Sequence, residues 1–357
     1  MQNLHLIRLV QWLFILLLFV IGLAVLHLLN AMRFSYMIYA ILYIVSIGLM
    51  ISSFFVMADL LLSILIALIV YYGIRFEFFK RKSHFSVIIA IWSVTLLLKP
   101  VMLVSLIAIP LIALRYRRLL GSSISYLLAP LLAAAIVFGI NFKTTGLIHY
   151  SSISSINMSY YNAKLLIANE YGYDSAQKYT QASIFETPRN SDDYRNYLKA
   201  LNSRAKESIV KHPNSYSKIH IIGMLKSLLD PGRFELSHLL KSAESNMSLT
   251  EQLIAGNWDF IYKKMKSSPG FIALFLVLLL FSLIKLAGLL LAAFSKNNIN
   301  WFLLLITGYF IFLAGPIGAF RFTMPAFIPY LILGTLGLEK LFLLFQKGSK
   351  SQDILAK

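Results

Sequence analysis

The stretch GFIALFLVLLLFSLIKLAGLLLAA, residues 270–293, decides the fold class of this chain. A helix rises about 1.5 Å per residue and the hydrocarbon core of a bilayer is roughly 30 Å thick, so about 20 apolar residues cross it once. Runs of similar length and composition recur at 10–29, 34–53, 57–75, 122–141, 300–315 with its flank, and 325–345. The segment 86–114 is apolar over a length that fits one long span or two short ones. The chain has 357 residues, 58% hydrophobic and only 13% charged. With a mean hydropathy of +0.73 it has the composition of a membrane protein and not of a soluble globular domain.

Between these apolar runs lies one long polar block, residues 142–268. It is too long for a loop and too rich in apolar spacing for disorder. Ser191, Asp192 and Asp193 make a helix start, with a capping residue and acids in the first turn. Tyr194, Leu198, Leu201, Ala205 and Ile209 then recur on one helical face, and the helix stops before Pro213. Further helices are expected at 157–170, 214–229 and 249–266, with no strand alternation and no internal repeat. The expected fold is therefore all-α: a polytopic transmembrane helix bundle of about seven full spans plus a short helical hairpin, with one helical extracytoplasmic domain. Residues 1–141 form the N-terminal spans, 142–268 the extracytoplasmic domain, 269–346 the C-terminal spans and 347–357 a cytoplasmic tail.

The N-terminus has His5 and Arg8 before its apolar run. That run is longer than a signal-peptide core and no small-residue cleavage pattern follows, so it reads as a retained helix. The net charge of +18 does not point to nucleic acid. Much of the positive charge sits in short loops at the ends of spans, where it sets topology and meets anionic lipid. There is no cysteine, which removes disulfides, thiol chemistry and cysteine metal sites.

Two short loops are strongly basic: Arg75, Lys80, Arg81 and Lys82, then Arg115, Arg117 and Arg118. Positive short loops mark the cytoplasmic side. If both are cytoplasmic, 86–114 enters and leaves one face as two short helices turning near Lys99–Pro100, where proline interrupts the helix. A single crossing would put one loop outside against that rule, so the hairpin is preferred. The polar block is then extracytoplasmic, the loop at Lys296 and the tail lysines Lys347, Lys350 and Lys357 lie inside, and the N-terminus lies outside.

Charged groups within or at the edge of spans are costly and are functional candidates for that reason. Asp59 stands at the outer start of a span, Lys99 inside the segment 86–114, and Arg321 after the break Gly315-Pro316-Ile317-Gly318. Lys99 and Arg321 could hold a lipid phosphate or pyrophosphate, and Asp59 could orient a cation, a metal or a hydroxyl. Snorkelling to headgroups accounts equally for such cations, and structural pairing for Asp59. His149, Tyr150, Ser151 and Ser152, where the chain leaves the membrane, fit either a headgroup contact or an ordinary polar interface. His212 and His220 have no partner at metal-ligand spacing. There is no phosphate loop after a strand, no nucleophile elbow and no HExxH.

Several of these residues together resemble the polytopic GT-C glycosyltransferases, the group related to protein mannosyltransferases, aminoarabinose transferases and galacturonosyltransferases. Leu9-Val10-Gln11-Trp12-Leu13 opens a long apolar helix as in the family's helix after its first outer loop. Asp59 sits where the family often has an acid at the outer start of a span. Leu97-Leu98-Lys99-Pro100 is similar to the family's Leu-x-Arg-Pro, with lysine for arginine. Arg321-Phe322-Thr323-Met324-Pro325 is similar to Arg-Tyr-x-x-Pro, and His212-Pro213-Asn214-Ser215-Tyr216 to His-Pro-x-x-Tyr. The resemblance implies a bacterial inner-membrane protein that transfers a sugar from a polyprenyl-phosphate donor to an extracytoplasmic acceptor, with Asp59, Lys99 and Arg321 binding substrate. It implies no certain cofactor, and divalent-metal use stays open. The implied partners are the lipid-linked sugar and membrane lipids. The family begins with a span and an outer loop that holds an acidic catalytic residue. This chain starts at what looks like the second span, so the catalytic residue is not assigned. A truncated start, a partner subunit that supplies the loop, and a non-catalytic relative that binds lipid-linked sugar are the alternatives. A transporter or flippase is less favoured, because no internal repeat is present.

Overall fold

The computed structural model describes residues 2–55, 58–181, 191–232, 235–236, 258–259, 262–263, 269–295 and 297–355. Val56, Met57, Lys296, Lys357 and most of the helix expected at 249–266 lie outside them, as do the side chains of Lys347 and Lys350. Among the described residues every regular element is helical, as the apolar runs require. Among the described residues six helical runs are long and apolar enough to cross a membrane: His5–Leu28, Ala58–Phe79, Pro100–Thr145, Ile272–Ala293, Asn298–Ile317 and Phe320–Gln346. Large apolar side chains such as Leu9, Leu13, Leu16, Leu276 and Leu280 stay exposed along these runs. A face of that kind is stable against lipid and not against water, so the chain is an integral membrane protein.

The expected span at 34–53 differs. It is divided into α2 (Arg33–Ile44) and α3 (Ile47–Ser52), which follow α1 (Gln2–Leu28). The chain leaves helical geometry at Ser46, with ψ of 66°, and the Ser46 hydroxyl donates to the carbonyl of Leu42 at 2.7 Å. A serine hydroxyl bonded to its own preceding turn competes with the backbone ladder.

The chain forms two compact units. The first contains residues 1–64, 227–310 and 319–357. In it, α1 and α2 are joined by Phe19, which stacks on Tyr39 and meets Tyr43 edge-on, and the Tyr43 hydroxyl donates to the carbonyl of Ile15 at 2.5 Å. Two long helices, Pro269–Ala293 and Phe327–Leu355, cross at glycines. A side-chain carbon on Gly288 would lie within 3.0 Å of the Gly334 backbone, and one on Gly337 would meet Gly288 in turn. Without a hydrophobic force between helices in lipid, such close backbone approach supplies the packing energy.

The second unit contains residues 65–226 and 311–318. It takes up most of α4 (Ala58–Phe79), then α5 (Lys82–Leu98). The chain reverses at Lys99–Pro100 into a 3-10 segment, Pro100–Ile107, and α6 (Ala108–Leu120). Trp92 Nε1 donates to Ser105 Oγ across this turn at 2.7 Å. A second 3-10 segment, Gly121–Leu127, leads into α7 (Leu128–Thr145). Gly146 closes α7 in the left-handed conformation that glycine adopts most easily, with φ of 68°.

The polar residues that follow are helical, as read from the sequence. They form α8 (Ser152–Asn157), a π-helical turn (Met158–Ala163), α9 (Lys164–Tyr171), α10 (Tyr173–Gln181), α11 (Ser191–Lys211) and α12 (Pro213–Leu229). Leu198, Leu201 and Ala205, on the face picked out by the 3.6-residue spacing, are fully buried. Residues 142–226 belong to the same compact unit as α5, α6 and α7.

Candidate functional site

In the first unit Asp59 and Arg321 are paired. Asp59 lies in the first turn of α4, where the unsatisfied backbone N–H groups favour a negative charge. Arg321 Nε donates to Asp59 Oδ2 at 3.1 Å. The carboxylate side chain is 11% exposed and the guanidinium side chain 49%. The acid is therefore enclosed, while the cation keeps half of its surface open. Bonding through Nε leaves the N–H groups of the two Nη atoms as further donors.

Arg321 sits in a short helix, Phe320–Thr323. Its first N–H, that of Phe320, is received by Asp230 Oδ2 at 2.9 Å, while Asp230 Oδ1 receives the N–H of Gly232 at 3.1 Å. One carboxylate thus ties the end of α12 to the residue beside Arg321. Sequence reading passed over Asp230. Its signal was the Asp-Pro-Gly turn that ends an apolar helix.

Lys99 belongs to the second unit, whereas Asp59 and Arg321 belong to the first. Lys99 is extended, at φ −142° and ψ 128°, as a residue before proline prefers. Pro100 has no N–H to give the carbonyl of Leu96. The Tyr150 hydroxyl, buried at 9% exposure, donates to that carbonyl instead. The Tyr150 hydroxyl is thus used within the fold, as the donor that replaces the missing proline N–H. The same solution recurs at Pro316, which cannot bond the carbonyl of Phe312. His220 Nε2 donates to it at 2.9 Å. Here α12 also approaches closely, since a side-chain carbon on Gly223 would lie within 3.0 Å of Gly315 and Pro316.

The polar helices carry a network of hydroxyls and charges. His212 meets Tyr171 at 2.8 Å through Nε2 and Glu170 at 3.6 Å through Nδ1. Hydrogen bonding from Ser215, with support from Asn169 and His212, holds the Glu170 carboxyl below its ordinary value. Burial and a hydroxyl contact with Tyr160 at 3.4 Å push the Tyr197 phenol up to about 12. Among the described residues no group of three or more acids or histidines is placed to hold a metal ion.

Lys285 is the cation that sequence reading missed. It lies in the middle of the helix Pro269–Ala293 at 6% exposure. Its ammonium donates to Ser46 Oγ at 3.3 Å and stands 5.9 Å from the centre of the Phe327 ring. The signal was plain: a lone charge inside the opening apolar stretch is costly and calls for a partner. Comparison with protein-family models, with curated proteins and with solved structures finds no significant match.

Proposed function

We propose that this chain is a membrane glycosyltransferase of the GT-C type, which takes a sugar from a polyprenyl-phosphate donor and delivers it to an acceptor on the extracytoplasmic face of a bacterial inner membrane. In this reading residues 142–268 lie on that face. The observation that supports it is the Asp59–Arg321 pair: an enclosed carboxylate at the start of a span fixes a half-open guanidinium. Departure of the sugar leaves charge on the lipid phosphate, and a pre-oriented cation stabilises that charge as it develops. Lys99, beside its proline turn, is the second cation of the reading. The residue that takes the acceptor proton is not assigned.

Arg321→Ala in the full chain, reconstituted in bilayer discs, tests this. Transfer from a radiolabelled polyprenyl-phosphate sugar should fall to background in a variant that is still expressed and folded, with an unfolding temperature lowered because the enclosed Asp59 carboxylate loses its partner. Unchanged turnover would remove Arg321 from the site.

A second reading is a non-catalytic protein that binds lipid-linked sugar or serves as a subunit. Asp59 favours it, because its Oδ2 already accepts the guanidinium N–H and acts to orient Arg321. Retention of polyprenyl phosphate without any transfer would select this reading.

A further inference from the structure

Between Asp59 and Glu170 the sequence contains a single acid, Glu77. The structure gathers the two basic loops around it. Lys80 Nζ pairs with Glu77 Oε2 at 2.8 Å and Arg115 Nη2 reaches Glu77 Oε1 at 4.0 Å. The Tyr116 hydroxyl donates to Glu77 Oε2 at 3.1 Å, and its ring meets Phe76 at 5.1 Å. Lys80 is held at φ 52°, a left-handed value that a side-chain-bearing residue adopts at a cost. Lys82 lies over the end of α6, with Nζ 3.9 Å from the position a side-chain carbon of Gly121 would take. Loops more than thirty residues apart in sequence thus become one surface.

Lys80, Arg81, Lys82, Arg115, Arg117 and Arg118 are all exposed on it. Glu77 occupies two of them. Among the described residues no carboxylate pairs with Arg81, Lys82, Arg117 or Arg118. Exposed Phe78 and Phe79 flank them at the end of a membrane-length helix. Aromatic rings at that level sit among headgroups, and cations beside them meet lipid phosphates.

Topology requires only that each loop be positive, and the α6 dipole only that Arg117 and Arg118 end that helix. Neither requires the two loops to be fastened together by a shared carboxylate, with four cations that no carboxylate among the described residues pairs and with Arg81 lying 5.9 Å from the centre of the Phe79 ring. We propose that this surface is a binding site for anionic phospholipid, with Arg81, Lys82, Arg117 and Arg118 holding headgroup phosphates and Glu77 fixing the two loops at a common spacing. The assignment goes beyond the glycosyl-transfer reading and does not depend on it.

The test uses the purified full chain in neutral detergent, with phosphatidylglycerol or phosphatidylcholine added, and reads bound lipid by native mass spectrometry and unfolding temperature. The parent should retain phosphatidylglycerol in preference and be stabilised by it, less so at high salt. Each cation near a lipid surface contributes about fivefold in affinity, so replacing all four by glutamine should weaken retention by about 600-fold. The unfolding temperature without lipid confirms that the variant is folded. Replacing Lys199, Lys206, Lys211 and Lys218, exposed cations of the polar helices, should change nothing. Equal loss in this control would show a bulk-charge effect and overturn the site. So would no preference for phosphatidylglycerol, or full competition by inorganic phosphate or a short single-stranded oligonucleotide.

Discussion

At the scale of single residues, the informative groups are polar atoms that have to be satisfied in an apolar setting. Pro100 and Pro316 each deprive a carbonyl four residues earlier of its donor, and Tyr150 and His220 replace what is missing. Tyr150→Phe keeps the ring and removes only the hydroxyl, so the Leu96 carbonyl loses its partner. The expected loss is about 1–3 kcal/mol in unfolding free energy; a denaturant titration showing no loss would mean that the carbonyl is satisfied otherwise. Asp59→Asn leaves the Arg321 guanidinium without its counter-charge. Polyprenyl-phosphate retention should weaken, and less than in Arg321→Ala, because the cation itself remains. Lys285 poses the opposite case. A buried ammonium with a hydroxyl and a ring for company costs desolvation that an apolar side chain of similar length avoids. Lys285→Met should therefore unfold at the same temperature as the parent or higher, and a marked drop would show that the charge stabilises the fold.

At the scale of elements, the sequence was most legible where pattern alone sets the outcome. The helix starting at Ser191 and ending before Pro213 is present as Ser191–Lys211, and its apolar spacing marks the buried face. The turn at Lys99–Pro100 is also present, because the proline has no N–H and its predecessor avoids the helical region. The break at Ser46 was not legible. Residues 34–53 have the composition of a span, and a serine within such a run is commonplace; only its hydrogen bond to Leu42 and the packing of α3 reveal the interruption. The glycines were equally silent. Gly288, Gly334 and Gly337 matter because two helices cross there, which no single helix's sequence discloses. Gly288→Leu should force those helices apart and lower stability by more than about 1–3 kcal/mol, the usual cost of overpacking, since backbone stands in the way. Heating the variant in detergent beside the parent measures it, and equal midpoints would contradict the close crossing.

At the scale of the molecule, the polar helices give a pH dependence. The fold raises the Tyr197 phenol to about 12, so it favours the neutral form. That contribution is complete below the ordinary phenol value of about 10 and is lost as pH rises through about 12. Glu170 has the opposite sign. Its lowered carboxyl contributes above the ordinary carboxylate range and stops contributing as pH falls through the folded value. The unfolding midpoint should thus decline at both extremes, and Tyr197→Phe should flatten the alkaline limb. An alkaline limb identical to the parent's would exclude Tyr197 as its source.

The sequence by itself determined that the chain is helical and membrane-embedded, because run length and hydropathy answer directly to the thickness and dryness of a bilayer. It also determined which charges are expensive enough to examine. Only the tertiary structure decided what those charges meet. Asp59 and Arg321 are 262 positions apart and Lys285 and Ser46 are 239 apart. Periodicity within one helix reports the face that is buried and carries no information about which distant helix buries it.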